Sequence, residues 1–222
     1  MVACRCLGEE LEKERQASLE RYSNLGPLSR MTFETFDTRG IGLPLEQQQN
    51  LEAALREAQE YARNPQGWLV FQGGNGCGKT HLAAAIGNYQ LKRGKPVLFV
   101  STADLLDHLR STFSPESQVS YDELFERVRN APLLILDDLG EHSATPWARE
   151  KLYQIINHRY NTRLPTVVTT CLSLDEIEPR ISSRMVDPRV SNVFNIIAPD
   201  LRSDLKLAKG RRVGPRRRTR PD

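Results

Sequence analysis

Four residues of the segment FQGGNGCGKTHL (71–82) stand at the spacing G-x-x-x-x-G-K-[ST]: Gly73, Gly78, Lys79 and Thr80. Glycines let successive backbone N–H groups turn toward one anion, and a helix starting at the lysine adds the positive end of its dipole. A lysine in that place reaches the outer phosphate oxygens of a nucleotide, and the threonine hydroxyl can ligate Mg²⁺. The candidate phosphate contacts are therefore Gly73, Gly74, Asn75, Gly76, Cys77, Gly78, Lys79, Thr80 and His81.

Such a loop needs a carboxylate to hold the metal and another group to ready a water, and LLILDDLG (133–140) supplies two acids. Its four apolar residues read as a buried strand, with Asp137 and Asp138 emerging at the C-terminal end, where α/β sheets present ligands. Asp137 is the candidate for the Mg²⁺ shell, beside Thr80, and Asp138 for the base that polarises the attacking water. Glu141, beyond Gly140, is a weaker candidate for that base. Charge on the transferred phosphoryl group also calls for an arginine. Arg180, Arg184, Arg189 and Arg202, in EPRISSRMVDPRV and APDLR, are the candidates, and composition does not choose among them.

These residues must be positioned by a scaffold, and the chain alternates short apolar runs with helix-length segments. The runs are GWLVF (67–71), PVLFV (96–100), PLLIL (132–136), TVVTT (166–170) and VFNII (193–197). Helical spacing is expected over Lys79–Arg93, Thr102–Arg110, Asp122–Arg129, Trp147–Asn161 and Leu174–Arg184, and earlier from Leu51 until Asn64-Pro65. Continuous apolar strands separated by helices predict an α/β fold with a central parallel sheet of about five strands, covered on both faces.

The 222 residues, 39% hydrophobic and 27% charged, suit one main domain. No apolar run approaches the roughly 20 residues needed to cross a bilayer, and the glutamate-rich start is unlike a signal peptide, so a cytoplasmic protein without membrane contact is expected. Four unevenly placed cysteines (Cys4, Cys6, Cys77, Cys171) argue against a disulfide framework. Cys4 and Cys6 make at most half of a zinc site, and no zinc is assigned. The chain divides into a charged helical segment (1–30), a phosphate-binding domain (31–204) and a basic tail (205–222) expected to stay disordered and open to nucleic-acid phosphates.

Taken together, FQGGNGCGKTHLAAAIGN, VLFVSTADLLDHLR, LLILDDLG, TPWAREKLYQIINHRYNTRLPTVVTT and RISSRM…DLR resemble the AAA+ ATPases of the DnaC/DnaI helicase-loader and IstB group, over about Met31–Arg202. The resemblance implies a three-layer AAA+ P-loop domain in which the LILDD strand lies beside the VVTT strand and the P-loop strand on its far side. It implies that Arg184 is an arginine finger serving a neighbouring subunit's ATP, hence an ATP-dependent homo-oligomer, and that Arg202 is the sensor-2 arginine of its own site. Where the group usually has the sensor-1 Asn, this chain has Cys171, and Thr170 is the candidate to contact nucleotide instead. Only 25 residues follow Ile197, so the C-terminal lid is expected to be short or missing.

The implied function is that of an ATP-dependent loader in DNA replication, binding ATP, Mg²⁺, single-stranded DNA and a replicative DNA helicase, with hydrolysis, slow and stimulated by single-stranded DNA, triggering release. The segment 1–30 is then a possible remnant of a helicase-binding or zinc domain. The resemblance places DNA contact in Ser101–Arg129, where Arg110, Phe113, Tyr121, Phe125, Arg127 and Arg129 are the cationic and aromatic candidates. The alternatives are an IstB-like transposition helper and a nucleotide-sensing adaptor with little turnover. A small-molecule kinase fits poorly, because the two acids and the intervening strand are not its arrangement.

Overall fold

The computed structural model describes residues 5–40, 42–112, 120–140 and 145–202, with side chains from Glu14 onward. Five strands, β1 (Trp68–Gly73), β2 (Leu98–Ser101), β3 (Leu134–Asp137), β4 (Thr166–Thr170) and β5 (Ser191–Ile196), form one sheet in the order β2-β3-β4-β1-β5. Every pairing is parallel. The LILD strand lies beside TVVTT with the P-loop strand on the other side, as the resemblance implies.

Side chains alternate across the sheet, so each strand feeds two cores. Leu69, Phe71, Phe99, Ile135 and Val167 join one cluster with residues of α2 (Leu45–Arg63) and α3 (Lys79–Lys92). Val70, Leu98, Val100, Leu134, Leu136 and Val168 join the other, with residues of α4 (Thr102–Ser111), α5 (Tyr121–Arg129), α6 (Pro146–Asn161) and α7 (Pro179–Met185). Burial on both faces explains why the strands read as unbroken apolar runs.

Local signals start the helices. Ser101, Ser120 and Thr145 cap α4, α5 and α6 by accepting from the N–H groups of Asp104, Glu123 and Ala148, each worth about 1 kcal/mol. The expected helix over Leu174–Arg184 begins only at Pro179. Glu178 caps it, accepting from Ile181 N–H, and the residues before it close a turn in which Ser173 donates from N–H and hydroxyl to Glu176.

Two features tie the layers together. Arg159 of α6 is fully buried and donates to Thr166 Oγ1 and to the carbonyls of Arg129, Ala131 and Pro165. With no carboxylate among these partners, burial lowers its pKa to about 10. Helix α1 (Arg5–Ser23) is the second tie. Leu19 packs on the first cluster, as does the buried Leu25 just beyond it, and Arg127 of α5 lies over the Tyr22 ring, 4.6 Å from its centroid, while donating to the Tyr22 carbonyl.

Candidate functional site

Because β1, β4 and β3 are parallel neighbours, Gly73, Thr170 and Asp137 all lie at the C-terminal edge of the sheet. The phosphate loop runs from that edge into α3. Gly76 and Gly78 adopt φ of +72° and +105°, conformations that side-chain-bearing residues rarely take. A Cβ on Gly78 would lie 2.7 Å from Phe36 Cε2, and one on Gly76 would collide with the Asp200 carboxylate. The loop is thus wrapped by segments from both flanks of the domain, and Leu201 N–H donates to Gly76 O.

Lys79 is buried and donates from Nζ to the carbonyls of Gly73 (2.8 Å) and Gly74 (2.7 Å), with Cys77 Sγ at 3.9 Å. Thr80 Oγ1 lies 3.0 and 3.1 Å from the two oxygens of Asp137. Burial pushes the Asp137 carboxyl up from the ordinary carboxylate range, with the charge of Asp138 adding to it, while hydrogen bonds from Thr169 and Thr80 and the charge of Lys79 pull the other way. A carboxylate and a hydroxyl converging in a buried place, with a lysine near, is an oxygen donor set that suits Mg²⁺. Thr80 and Asp137 are the residues that would hold it. Among the described residues no group of three or more His, Cys, Asp or Glu comes together.

Asp138 is exposed and has φ +55°, a left-handed conformation that Asp tolerates better than most residues. Its N–H donates to Thr169 Oγ1 at 2.9 Å, and the same hydroxyl donates to Asp137 Oδ1 at 2.6 Å. Thr169 therefore joins the two acids, and the sequence reading missed it. The strand period groups Thr169 with Val167, which packs in the cluster that contains α3, but only that packing shows which face meets the acids. Thr170 points the other way. Its buried hydroxyl donates to Leu139 O and accepts from Leu172 N–H, bracing the turn after the acids. Cys171 is exposed.

Of the four candidate arginines, Arg202 alone lines the cavity over the loop. That cavity, about 520 Å³, is bounded by Gly76, Gly78, Lys79 and Thr80 on one side and by Met31, Phe36 and Leu201 on another. His81 closes it, 2.9 Å from Thr32 O and edge-on to Phe36. Arg184, on α7, instead packs against α6, donating to Asn157 Oδ1 at 3.0 and 2.7 Å with its guanidinium over Tyr153. Arg180 pairs with Glu178 and Glu150, and Arg189 with Asp187. A second hollow of about 630 Å³, lined by Tyr61, Trp68 and Ser191 among others, opens at the opposite end of β1 and β5, far along the strands from both acids.

On the other face of the sheet, Tyr121 and Phe125 stack with ring centroids 5.4 Å apart and Lys151 Nζ 5.1 and 5.8 Å from them. Arg110 lies over Trp147 at 5.1 Å. Trp147 and Lys151 come from α6, outside the stretch 101–129 that sequence reasoning singled out. Phe113, Glu141, Cys4, the Cys6 side chain and the basic tail lie outside the described residues.

A parallel sheet in this order, a glycine loop entering α3 and a pair of acids two strands away define an AAA+ P-loop domain. Comparison with known proteins agrees. The family described as IstB-like ATP binding protein matches residues 5–187, and the chain belongs to that family. It is 32% identical over 200 residues to the replicative helicase loader DnaC of Escherichia coli K12, covering 81% of this chain and 79% of the loader. Among solved structures, a DnaC helicase loader superimposes with TM-score 0.60 at 26% identity, covering 75% of this chain and 97% of that one. AMPPCP-bound DnaA from Aquifex aeolicus shares the fold, with TM-score 0.65 at 20% identity over 88% of this chain and 58% of that one. No helix among the described residues is long and apolar enough to cross a membrane.

Proposed function

We propose that this protein is a cytoplasmic ATP-dependent loader of a replicative DNA helicase, which holds helicase and single-stranded DNA while ATP is bound and releases them on hydrolysis. The observation that carries this reading is the likeness to a replicative helicase loader along most of both chains, and the site chemistry supports it. The phosphate loop and Lys79 bind the β- and γ-phosphates, and Met31, Phe36 and Leu201 offer an apolar seat for the base. Thr80 and Asp137 would hold Mg²⁺, which when bound would offset charge on those phosphates. Asp138, exposed beside Asp137, accepts a proton from the attacking water, and Thr169 fixes both acids through one hydroxyl.

On this reading residues 31–204 are the ATPase domain, residues 1–30 face the helicase and residues 205–222 add basic charge near DNA. Arg202 serves its own nucleotide. Arg184, on the α6–α7 surface and away from its own phosphate loop, serves a second copy of the chain, so full activity requires self-association. Phe125 is buried in the core, but the partly exposed Tyr121 and Trp147 interleave with Arg110, Arg127 and Lys151 on α4, α5 and α6 as single-strand binding surfaces do, to stack bases and neutralise phosphates. A second reading, an IstB-like transposition helper, is favoured by the family description itself and uses the same ATP site on a different partner. The test is phosphate release with and without single-stranded DNA: the loader reading expects slow turnover that DNA accelerates, and a DNA-independent rate would count against it. An adaptor that binds ATP without turnover would show no release in either condition.

A further inference from the structure

We infer that His81 is a positioning residue that holds residues 32–36 against the phosphate loop, so that it sets how well the base half of a nucleotide is held. The inference rests on the nucleotide reading above. His81 is the third residue of α3, about 100° per residue around the helix from Thr80, and so is turned away from the metal-binding pair. Its Nε2 lies 2.9 Å from the Thr32 carbonyl and 3.2 Å from Thr35 Oγ1. A carbonyl oxygen only accepts, so Nε2 carries the proton. Thr35 Oγ1 lies 2.9 Å from the Arg30 carbonyl and 3.1 Å from that of Thr32, and it accepts from Thr32 N–H. The ring edge of His81 meets Phe36, centroids 5.3 Å apart at 77°, and Phe36 in turn lies over Gly78. One side chain therefore bolts the wall formed by Thr35 and Phe36 to the helix that begins at Lys79.

The chain just before this wall is anchored separately: Asn88 Nδ2 donates to the carbonyls of Leu28 and Met31 at 2.9 Å each. Phe33 and Phe36 also hold this segment by burial in the core, so loss of His81 should loosen the Thr32–Thr35 turn against α3 without releasing α1 or the fold. Inorganic tripolyphosphate needs only the phosphate loop, whereas ATP needs loop and wall. Calorimetric titration of the full chain with each ligand, in the presence of Mg²⁺, tests the division of labour. His81→Ala is expected to weaken ATP by about 10-fold, the worth of one hydrogen bond that orders a binding wall, and tripolyphosphate by less than about 2-fold. His81→Gln, whose side-chain N–H can still donate to Thr32 O, should recover most of the ATP affinity. Equal losses for both ligands, or none for ATP, would overturn the role of His81 while leaving the nucleotide site standing. Wild-type protein that binds neither ligand would bring down the nucleotide reading and this inference with it.

Discussion

At the scale of single residues, the site turns on an acid placed where acids are costly. Asp137 is buried with its carboxyl raised, so the folded chain holds that proton more tightly than the unfolded chain does. Between the ordinary carboxylate pKa and the raised one, the folded state binds more protons, and stability falls as pH rises through that window. Asp137→Asn removes this loss. The variant without nucleotide should melt higher than the parent at pH 7.5 and at the same temperature near pH 4, and it should lose Mg²⁺-dependent ATP binding; thermal melts across pH check the first part and titrations the second. Thr169→Val keeps the shape but takes away the hydroxyl that joins the acids. A lost hydrogen bond to the charged form raises the Asp137 carboxyl further, so hydrolysis should fall by at least about 10-fold and its acid limb should move to higher pH. Asp138→Asn should cut the hydrolysis rate by roughly 100-fold or more while ATP still binds; a rate equal to the parent's would show that Asp138 is not the base.

At the scale of elements, the phosphate loop, the acids and the five strands were legible because each rests on a local pattern. Glycine spacing marks the loop, and four apolar residues before two acids mark β3. What sequence did not disclose depends on which way a strand or helix is turned in three dimensions. Thr169 and Thr170 are both threonines at the end of one strand, and only the placement of α3 on the face shared with Val167 decides which of them meets Asp137. Trp147 and Lys151 were missed for the same reason: they lie on α6, yet packing brings them beside Arg110, Tyr121 and Phe125. If that surface binds DNA, Trp147→Ala should weaken single-stranded DNA by about 10-fold, the worth of one stacked base, without altering ATP binding, as fluorescence anisotropy would show. The helix expected from Leu174 was shortened because Ser173 and Glu176 satisfy each other in a turn and Pro179 fits the first helical position. Arg159 is an element-scale peg, tying α6 to the starts of β3 and β4 through backbone carbonyls. Arg159→Met takes its donors from the Arg129, Ala131 and Pro165 carbonyls, of which Pro165 keeps Leu134 N–H, and should cost about 3 kcal/mol, lowering the melting temperature by roughly 6–12 °C in a chain of this size.

At the scale of the whole molecule, the site draws on both flanks of the domain. Residues 31–37 and 200–202 wrap the phosphate loop, and α1, whose Leu19 packs on that face, meets α5 of the opposite face through Tyr22 and Arg127. The position of Arg184 outside its own pocket makes self-association the second global property of the account. Light scattering should show assembly that grows with an ATP analogue and single-stranded DNA and fails in Arg184→Ala, and a monomer under every condition would remove that role. The claim at the centre, that the ATP site serves a helicase loader, is tested most directly by mixing the chain with the replicative helicase of its own cell and weighing the product by size-exclusion light scattering. The account predicts a stable complex with a non-hydrolysable ATP analogue and Mg²⁺, which dissolves when ATP and single-stranded DNA replace the analogue. A chain that binds ATP normally yet forms no complex with the helicase in any nucleotide state would contradict it.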